Sequence, residues 1–419
     1  MRRSAGAAVA AFFLATAAAQ AAPRLAAPSA RPAKPVGPDF LFEQGEFAEA
    51  RAGYEVVPKS SPHYEDAQRQ LGAIALFQNR LGEAETRLES TLSRNPADLR
   101  AAALLAETME RADRFADMVP LLRQVKRPER VAEFALFGKT VPYRLPAHQA
   151  ATTVPFEWTE PLPVVDAKVN GVEGLFLIDT GAPEIILDPV FARDAKVETT
   201  ARPQNGASQP SFGRIATFTL AGLETGDVPA MLINMRGASA LARGKRVAGV
   251  IGVEYLSHFR TTLDYVHDRM ILAPQNAPER AHAGVPLAEI PFWFVGDHYL
   301  VARGRLDKGP RQLFFIDTGL GSYAFTAPDS TLRDADIAVP APPARSSGAR
   351  GPAPLATFPI TSLSLGSLTE NRLTGVFGAF PPPLENALGI HAGGIVSHGF
   401  FHTYAVTFDF VRMTITVRK

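Results

Sequence analysis

Two textures of apolar spacing divide the chain. From Asp39 the apolar residues follow helical spacing, and stepping 34 residues at a time from Gly45 through Asn79 to Asp113 keeps the columns matched. Phe47, Leu81 and Phe115 share one column; Glu49, Glu83 and Asp117 the next; Ala50, Ala84 and Met118 a third; Tyr54, Leu88 and Leu122 a fourth. Leu71 and Leu105 keep the same register in the preceding helix, and Pro96 closes the second unit. After about Pro142 the texture changes to short β-branched and aromatic runs broken by Gly, Pro and Asn, which predicts strands.

The 34-residue period resembles the tetratricopeptide repeat, in which paired helices interlock through small and large apolar residues. A helix pair cannot bury its apolar face alone, so units stack, and the third, with polar Asp113 and Asp117, is expected near the end of the stack. Two roles stay open for about three units. One is a concave surface that holds a peptide or a protein partner, and the other is a structural prop packed against the next domain.

The β-rich part carries an internal duplication. Its first copy runs through the strand Pro163–Val169 and the hairpin signal Asn170-Gly171 to Gly174-Leu175-Phe176-Leu177-Ile178-Asp179-Thr180-Gly181. The second runs through the extended stretch Tyr299–Leu306 to Gln312-Leu313-Phe314-Phe315-Ile316-Asp317-Thr318-Gly319. Each copy ends alike. Gly249-Val250-Ile251-Gly252-Val253-Glu254-Tyr255-Leu256 leads to Thr262-Leu263-Asp264-Tyr265, and Gly394-Ile395-Val396-Ser397-His398-Gly399-Phe400-Phe401 leads to Thr407-Phe408-Asp409-Phe410, without a gap. An Asp-Thr-Gly turn after one strand is common chemistry for a turn. Two such turns, each behind apolar residues and each followed by the same closing segment, are a duplication.

From about Glu157 the chain therefore resembles the pepsin-like and retropepsin-like aspartic peptidases. In that family each lobe gives one Asp-Thr-Gly turn and a later apolar-apolar-Gly segment that passes behind it. The resemblance implies catalytic roles for Asp179 and Asp317, supporting roles for Thr180, Gly181, Ala182, Thr318 and Gly319, and backing segments at Ile251-Gly252 and Val396-Ser397. It further implies that the two threonines cross-bond the turns and that the glycines admit backbone N–H groups to the carboxylates. Two residues depart from the pattern: Leu320 stands where a small or hydroxyl residue is usual, and Ser397 where Gly is usual. Flaps over a cleft would fall at Gln204–Gly213 and, in the second lobe, at Arg345–Gly351, though plain surface loops fit the latter equally well. Phe292 and Trp293 lie at the lobe junction and suit a core.

The implied chemistry needs no cofactor or metal. Two carboxylates that share a proton supply a base to activate water and an acid to polarise the carbonyl. The competing class is a catalytically impaired protein that binds peptides or acts as a scaffold through its repeats and β cleft. Both Asp residues argue against that class, and Leu320 and Ser397 argue mildly for it.

Composition narrows the setting. The 419 residues contain no cysteine, which removes thiol catalysis, disulfides and thiolate metal sites. Lys and Arg number 43 against 42 Asp and Glu, so no charge excess points to nucleic acid or an acidic membrane. Arg2 and Arg3, an apolar run with Phe12, Phe13 and Leu14, and Ala19-Gln20-Ala21 form a signal-peptide pattern with cleavage expected after Ala21. Export to a periplasm or the cell exterior follows, and no later run is long enough for a stable membrane span. The expected layout is a signal peptide at 1–21, an Ala/Pro-rich linker at 22–38, helical repeats at 39–140, a first lobe at 157–275 and a second at 285–419. It is a multidomain α and β chain, a helical repeat followed by an all-β bilobal fold, sufficient as a monomer.

Three weaker signals carry less. His391, His398 and His402 cluster, but a Gly-rich, strand-like segment without a recurring acidic partner is a poor metal site. Asp264 and Asp409 match across the copies, and their position suits bonding to a turn. No Gly-x-Ser-x-Gly elbow is present for serine catalysis.

Overall fold

The computed structural model describes residues 37–147, 149–200, 211–277, 285–341, 355–381, 385 and 388–419. The expected signal peptide, nearly all of the expected linker, Arg345–Gly351 and Gln204–Pro210 of the first expected flap lie outside the described residues; Ser211–Gly213 begin a strand.

Among the described residues seven helices come first: α1 (Pro38–Glu43), α2 (Phe47–Glu55), α3 (Tyr64–Phe77), α4 (Leu81–Arg94), α5 (Leu99–Arg111), α6 (Phe115–Gln124) and α7 (Pro128–Ala135). The 34-residue column Gly45, Asn79 and Asp113 has one physical meaning. All three residues adopt positive φ, at 69°, 54° and 58°. Each ends a helix in the same turn, in which the following N–H reaches back to Leu41, Ala75 or Met109 O. That is the left-handed helix stop for which Gly and Asn are suited. The apolar columns face inward, with Phe47, Phe115, Ala50, Ala84, Met118, Tyr54, Leu88 and Leu122 all buried. Asp98 caps α5 by accepting from the Arg100 and Ala101 amides. The stack does not stop at the third unit, because α7 packs on α6 and carries it to the first lobe.

The duplication becomes two sheets of matching order. In lobe one the strands run Val164–Val169, Val172–Ile178, Gly249–Ile251, Ile185–Leu187, Leu223–Leu232, Ser211–Leu220 and Glu198–Thr199. Lobe two repeats the first six as Tyr299–Leu306, Gln312–Ile316, Ala392–Val396, Phe325–Thr326, Leu368–Phe377 and Ala356–Leu365. In both, the first and sixth strands also pair and close the layer. Asn170 and Gly171, with φ of 50° and 86°, make the tight turn of the first hairpin.

Between the lobes lies an antiparallel layer of six strands: Thr152–Pro155, Arg269–Pro274, Phe259–Asp264, Ala405–Asp409, Thr414–Arg418 and Ala288–Val295. Its centre pairs Thr262 with Thr407, hydroxyl to hydroxyl at 2.8 Å. These two residues are equivalents in the duplicated tails, so the pseudo-twofold axis passes between them. Asp264 accepts from the His267 amide and Asp409 from the Val411 and Arg412 amides, so both bond to their turns as expected.

The β part is not wholly strand. Short helices at Pro189–Asp194, Val253–Ser257, Asp329–Asp334 and His398–Phe401 follow strands whose sequence gives too few residues for a helical period. The last corrects the strand-like reading of the His398 segment. Phe292 packs on Phe410 within the core, and Trp293, half-buried, packs against the core on Phe47.

The helical unit straddles both lobes. A Cβ at Gly45 would sit 2.2 Å from Leu313 Cδ1, so only glycine allows this approach to lobe two. Glu46 pairs with Arg303, and Asn79 Nδ2 donates to Phe410 O at 2.9 Å. Towards lobe one, Asp113 meets His258, and the Tyr143 amide donates to Asp227 O. Among the described residues no helix is long and apolar enough to cross a membrane.

Candidate active site

Each Asp-Thr-Gly turn leaves a buried strand, and a second strand passes behind it. Ile178 pairs in parallel with Ile251, and Ile316 with Val396. The next amide in each case is that of the aspartate: Asp179 N donates to Ile251 O at 3.1 Å and Asp317 N to Val396 O at 3.0 Å. Asp179 and Asp317 are thereby fixed at their backbones by Ile251 and Val396.

The two turns face each other across the pseudo-axis and exchange hydrogen bonds. Thr180 N donates to Thr318 Oγ1 at 3.0 Å, and Thr318 N to Thr180 Oγ1 at 3.1 Å. Thr180 Oγ1 in turn donates to Ile316 O at 3.2 Å. Gly181 N donates to Asp179 Oδ1 at 2.8 Å, and Gly319 N to Asp317 Oδ1 at 2.7 Å. The glycines also bring the lobes into contact. A Cβ at Gly181 would lie 2.2 Å from Asp317 Cγ, and one at Gly319 would lie 2.2 Å from Asp179 Oδ2.

Only 5% and 3% of Asp179 and Asp317 is exposed, so ionisation is costly for both. Burial raises the Asp179 pKa above the ordinary carboxyl range, against the Asp317 carboxyl and the Gly181 amide, which favour its charged form. Burial first and the Asp179 charge second raise Asp317 further. One proton is retained by the pair well above the usual range.

The departures in lobe two have compensations. Ser397 Oγ accepts from the Leu320 amide at 3.1 Å, while Ser397 is fully buried. In lobe one a Cβ at Gly252 would meet Glu184 O at 2.4 Å and Ala182 O at 2.7 Å, so that position requires glycine. The chain takes two more residues from Asp317 to the strand at Phe325 than from Asp179 to the strand at Ile185, and Gly321 at φ 70° turns that longer loop. The extra length gives Ser397 its room. Leu320 is buried in an apolar cluster that also holds Phe47, Phe77 and Phe315.

Several neighbours escaped the sequence reasoning. Glu160 accepts from Ser322 Oγ at 2.7 Å on the lobe-two Asp-Thr-Gly loop and lies 3.3 Å from His398 Nε2. The His398 contact, then Ser322, holds the Glu160 pKa down at about 2. Asp297, which pairs with the buried His298 at 2.5 Å, stands three residues ahead of Leu300, the strand partner of Ile316, as Glu160 stands three ahead of Pro163, the partner of Ile178. That shared offset was the available signal. His391 likewise has an acidic neighbour, Glu385 at 2.6 Å, so acidic partners are present after all. Among the described residues no group of three His, Cys, Asp or Glu is arranged to hold a metal ion.

The aspartyl protease family model matches residues 165–255, and the tetratricopeptide repeat model matches residues 41–116. Residues 41–116 are thus similar to tetratricopeptide repeats and residues 165–255 to an aspartyl protease segment. The matched protease segment contains Asp179 and Gly252; lobe two enters through the duplication. A crystal structure of a retropepsin-like aspartic protease from Rickettsia conorii is similar at 19% identity, with a TM-score of 0.22, over 32% of this chain and 96% of that one. No curated protein matches the chain.

Proposed function

We propose that the chain is an exported aspartic endopeptidase that hydrolyses peptide bonds with a water activated by Asp179 and Asp317. The observation that carries this reading is the face-to-face packing of the two turns, each glycine against the other lobe's carboxyl. The ionised member of the pair takes a proton from water as it attacks the scissile carbonyl. The protonated member donates to the carbonyl oxygen, and the proton taken up is returned to the leaving amine. The pair is assembled within one chain, so a monomer suffices. The substrate is a peptide or protein, and no cofactor takes part.

The helical unit has a structural task in this reading, because it is packed on both lobes. Its remaining free surface, which includes a groove lined by Gln68, Glu83, Thr86, Arg87 and Ser90, is available to a protein partner. Export rests on the signal-peptide pattern at residues 1–21, and a mature N-terminus at Ala22 would test it.

The decisive test is cleavage of a diverse peptide mixture between about pH 3 and 8, a range set by dyad titration, beside Asp179→Asn and Asp317→Asn. Loss of cleavage in both variants establishes the shared dyad. Cleavage that survives in either variant sinks the two-lobe mechanism, and none by the parent at any pH leaves a peptide-binding protein.

A further inference from the structure

Outside the dyad, a dense cluster of buried charge lies where the helical unit meets the lobe-one catalytic loop. Glu184 stands on that loop, just after Asp179-Thr180-Gly181-Ala182-Pro183, and its carbonyl flanks Gly252. Its side chain is 1% exposed, and Glu133, which approaches from α7, is 0% exposed. A single guanidinium nitrogen serves both: Arg130 Nη1 donates to Glu133 Oε2 at 2.7 Å and to Glu184 Oε1 at 3.4 Å. The other guanidinium nitrogen, Nη2, is engaged by Glu110.

The remaining oxygens, Glu133 Oε1 and Glu184 Oε2, are buried and receive no hydrogen bond. One cation cannot neutralise both carboxylates and Glu110 as well, and a buried ionised oxygen without a donor is costly. The two carboxyls are within hydrogen-bonding reach of each other. A proton on one supplies the missing donor to the other.

The surroundings favour keeping that proton. The groups that face the pair are Arg130 from α7, Glu110 from α5 and Glu254 from the Val253–Ser257 helix, with the Tyr143 hydroxyl on Glu254 at 3.4 Å. Burial raises both carboxyls above the ordinary Glu value, and the Glu133 charge raises Glu184 further.

We propose that Glu133 and Glu184 share one proton and, with Arg130, form a clamp through which the helical unit positions the lobe-one catalytic loop. Its consequence for catalysis rests on the peptidase reading; the clamp itself does not. Glu133, Glu184 and Arg130 are positioning residues, acting on Asp179 through the loop. The repeat is then a wall of the active site, and deprotonation of the pair in alkali loosens that wall.

The test compares the full chain with Glu133→Gln, which keeps a hydrogen-bond donor but cannot ionise, and Glu133→Ala, which loses both. Above the usual Glu value of 4.5 the folded pair holds the shared proton that the unfolded chain has released. The parent's unfolding constant therefore rises with pH, by up to about tenfold per unit from this one proton. In Glu133→Gln that share of the slope disappears, and Gln restores cleavage that Ala loses. The same pH slope in parent and Gln variant overturns the clamp. Hydrogen exchange on the parent alone gives a second measure, for use if the variants do not fold. The Val253 and Glu254 amides, which donate to Ala182 and Pro183 O, lose protection beyond the intrinsic rate change as the pair titrates; unchanged protection overturns the proposal. Neither readout needs cleavage. An inactive parent with the expected slope refutes the peptidase reading and keeps the clamp, and an active parent without it does the reverse.

Discussion

Replacing Thr180 by Val removes one oxygen and almost no volume, so the hydrogen bonds between the turns are tested with little change in packing. The change deletes the acceptor of the Thr318 amide at 3.1 Å and the donor to Ile316 O at 3.2 Å. Thr318 is 1% exposed, so its N–H finds no water. An orphaned buried amide costs about 1–3 kcal/mol, and the second bond contributes about 1 kcal/mol. The expected loss is about 2–4 kcal/mol, or roughly a 30- to 1,000-fold larger unfolding constant. Denaturant unfolding measures it. The control is Thr262→Val, which breaks the 2.8 Å hydroxyl pair at the other end of the pseudo-axis, where both residues are half-buried. That change should cost no more than about 1 kcal/mol. If Thr180→Val is no more destabilising than Thr262→Val, the cross-bonds do not hold the lobes together and the argument fails.

Three further outcomes follow from the same geometry. Gly319→Ala puts a methyl 2.2 Å from Asp179 Oδ2, and the forced displacement of the dyad should lower kcat by about a hundredfold or more; near-parent turnover would show that the turns do not meet as described. Ser397→Gly leaves the buried Leu320 amide without its 3.1 Å acceptor, so thermal unfolding should reveal a loss of about 1–3 kcal/mol, whereas a neutral result would make the serine incidental. Asp317→Asn should abolish cleavage yet raise the melting temperature near pH 8. The Asp317 pKa is raised in the fold, so the parent's stability is full below the unfolded carboxyl value and is lost as pH rises towards the raised one. A variant that melts at or below the parent at every pH would contradict that sign.

Much of this arrangement was legible because duplication doubles every signal. The period of 34 marks the turn residues Gly45, Asn79 and Asp113, all at positive φ, since a left-handed helix stop restricts residue choice. The strands before Asp179 and Asp317, and the passing segments at Ile251 and Val396, were readable from fully apolar runs, as expected for strands buried on both faces. Contacts between chain-distant residues were not readable. Nothing in the spacing from Arg130 to Glu184 indicates that they meet, and Glu133 reads as an ordinary helix-surface acid until its zero exposure is known. The short helices were missed because four to six residues cannot establish a period.

The two Asp-Thr-Gly loops are supported by different means, and this accounts for the departures of lobe two. In lobe one the loop is short: Gly252 lies directly beneath it, and the Glu184 side chain reaches outward to α7. In lobe two the loop is longer, so a side chain fits beneath it, and Ser397 fills the space while satisfying the Leu320 amide. Ser322, on the added length, is anchored by Glu160 from the segment that enters lobe one. Leu320 joins the apolar cluster with Phe47 and Phe77 of the helical unit, where a hydroxyl would be buried without benefit. Because lobe two is backed by apolar packing and lobe one by charge, a rise in pH should loosen lobe one first. The pseudo-symmetry of the strands is thus not a symmetry of stability, and the helical unit is what breaks it.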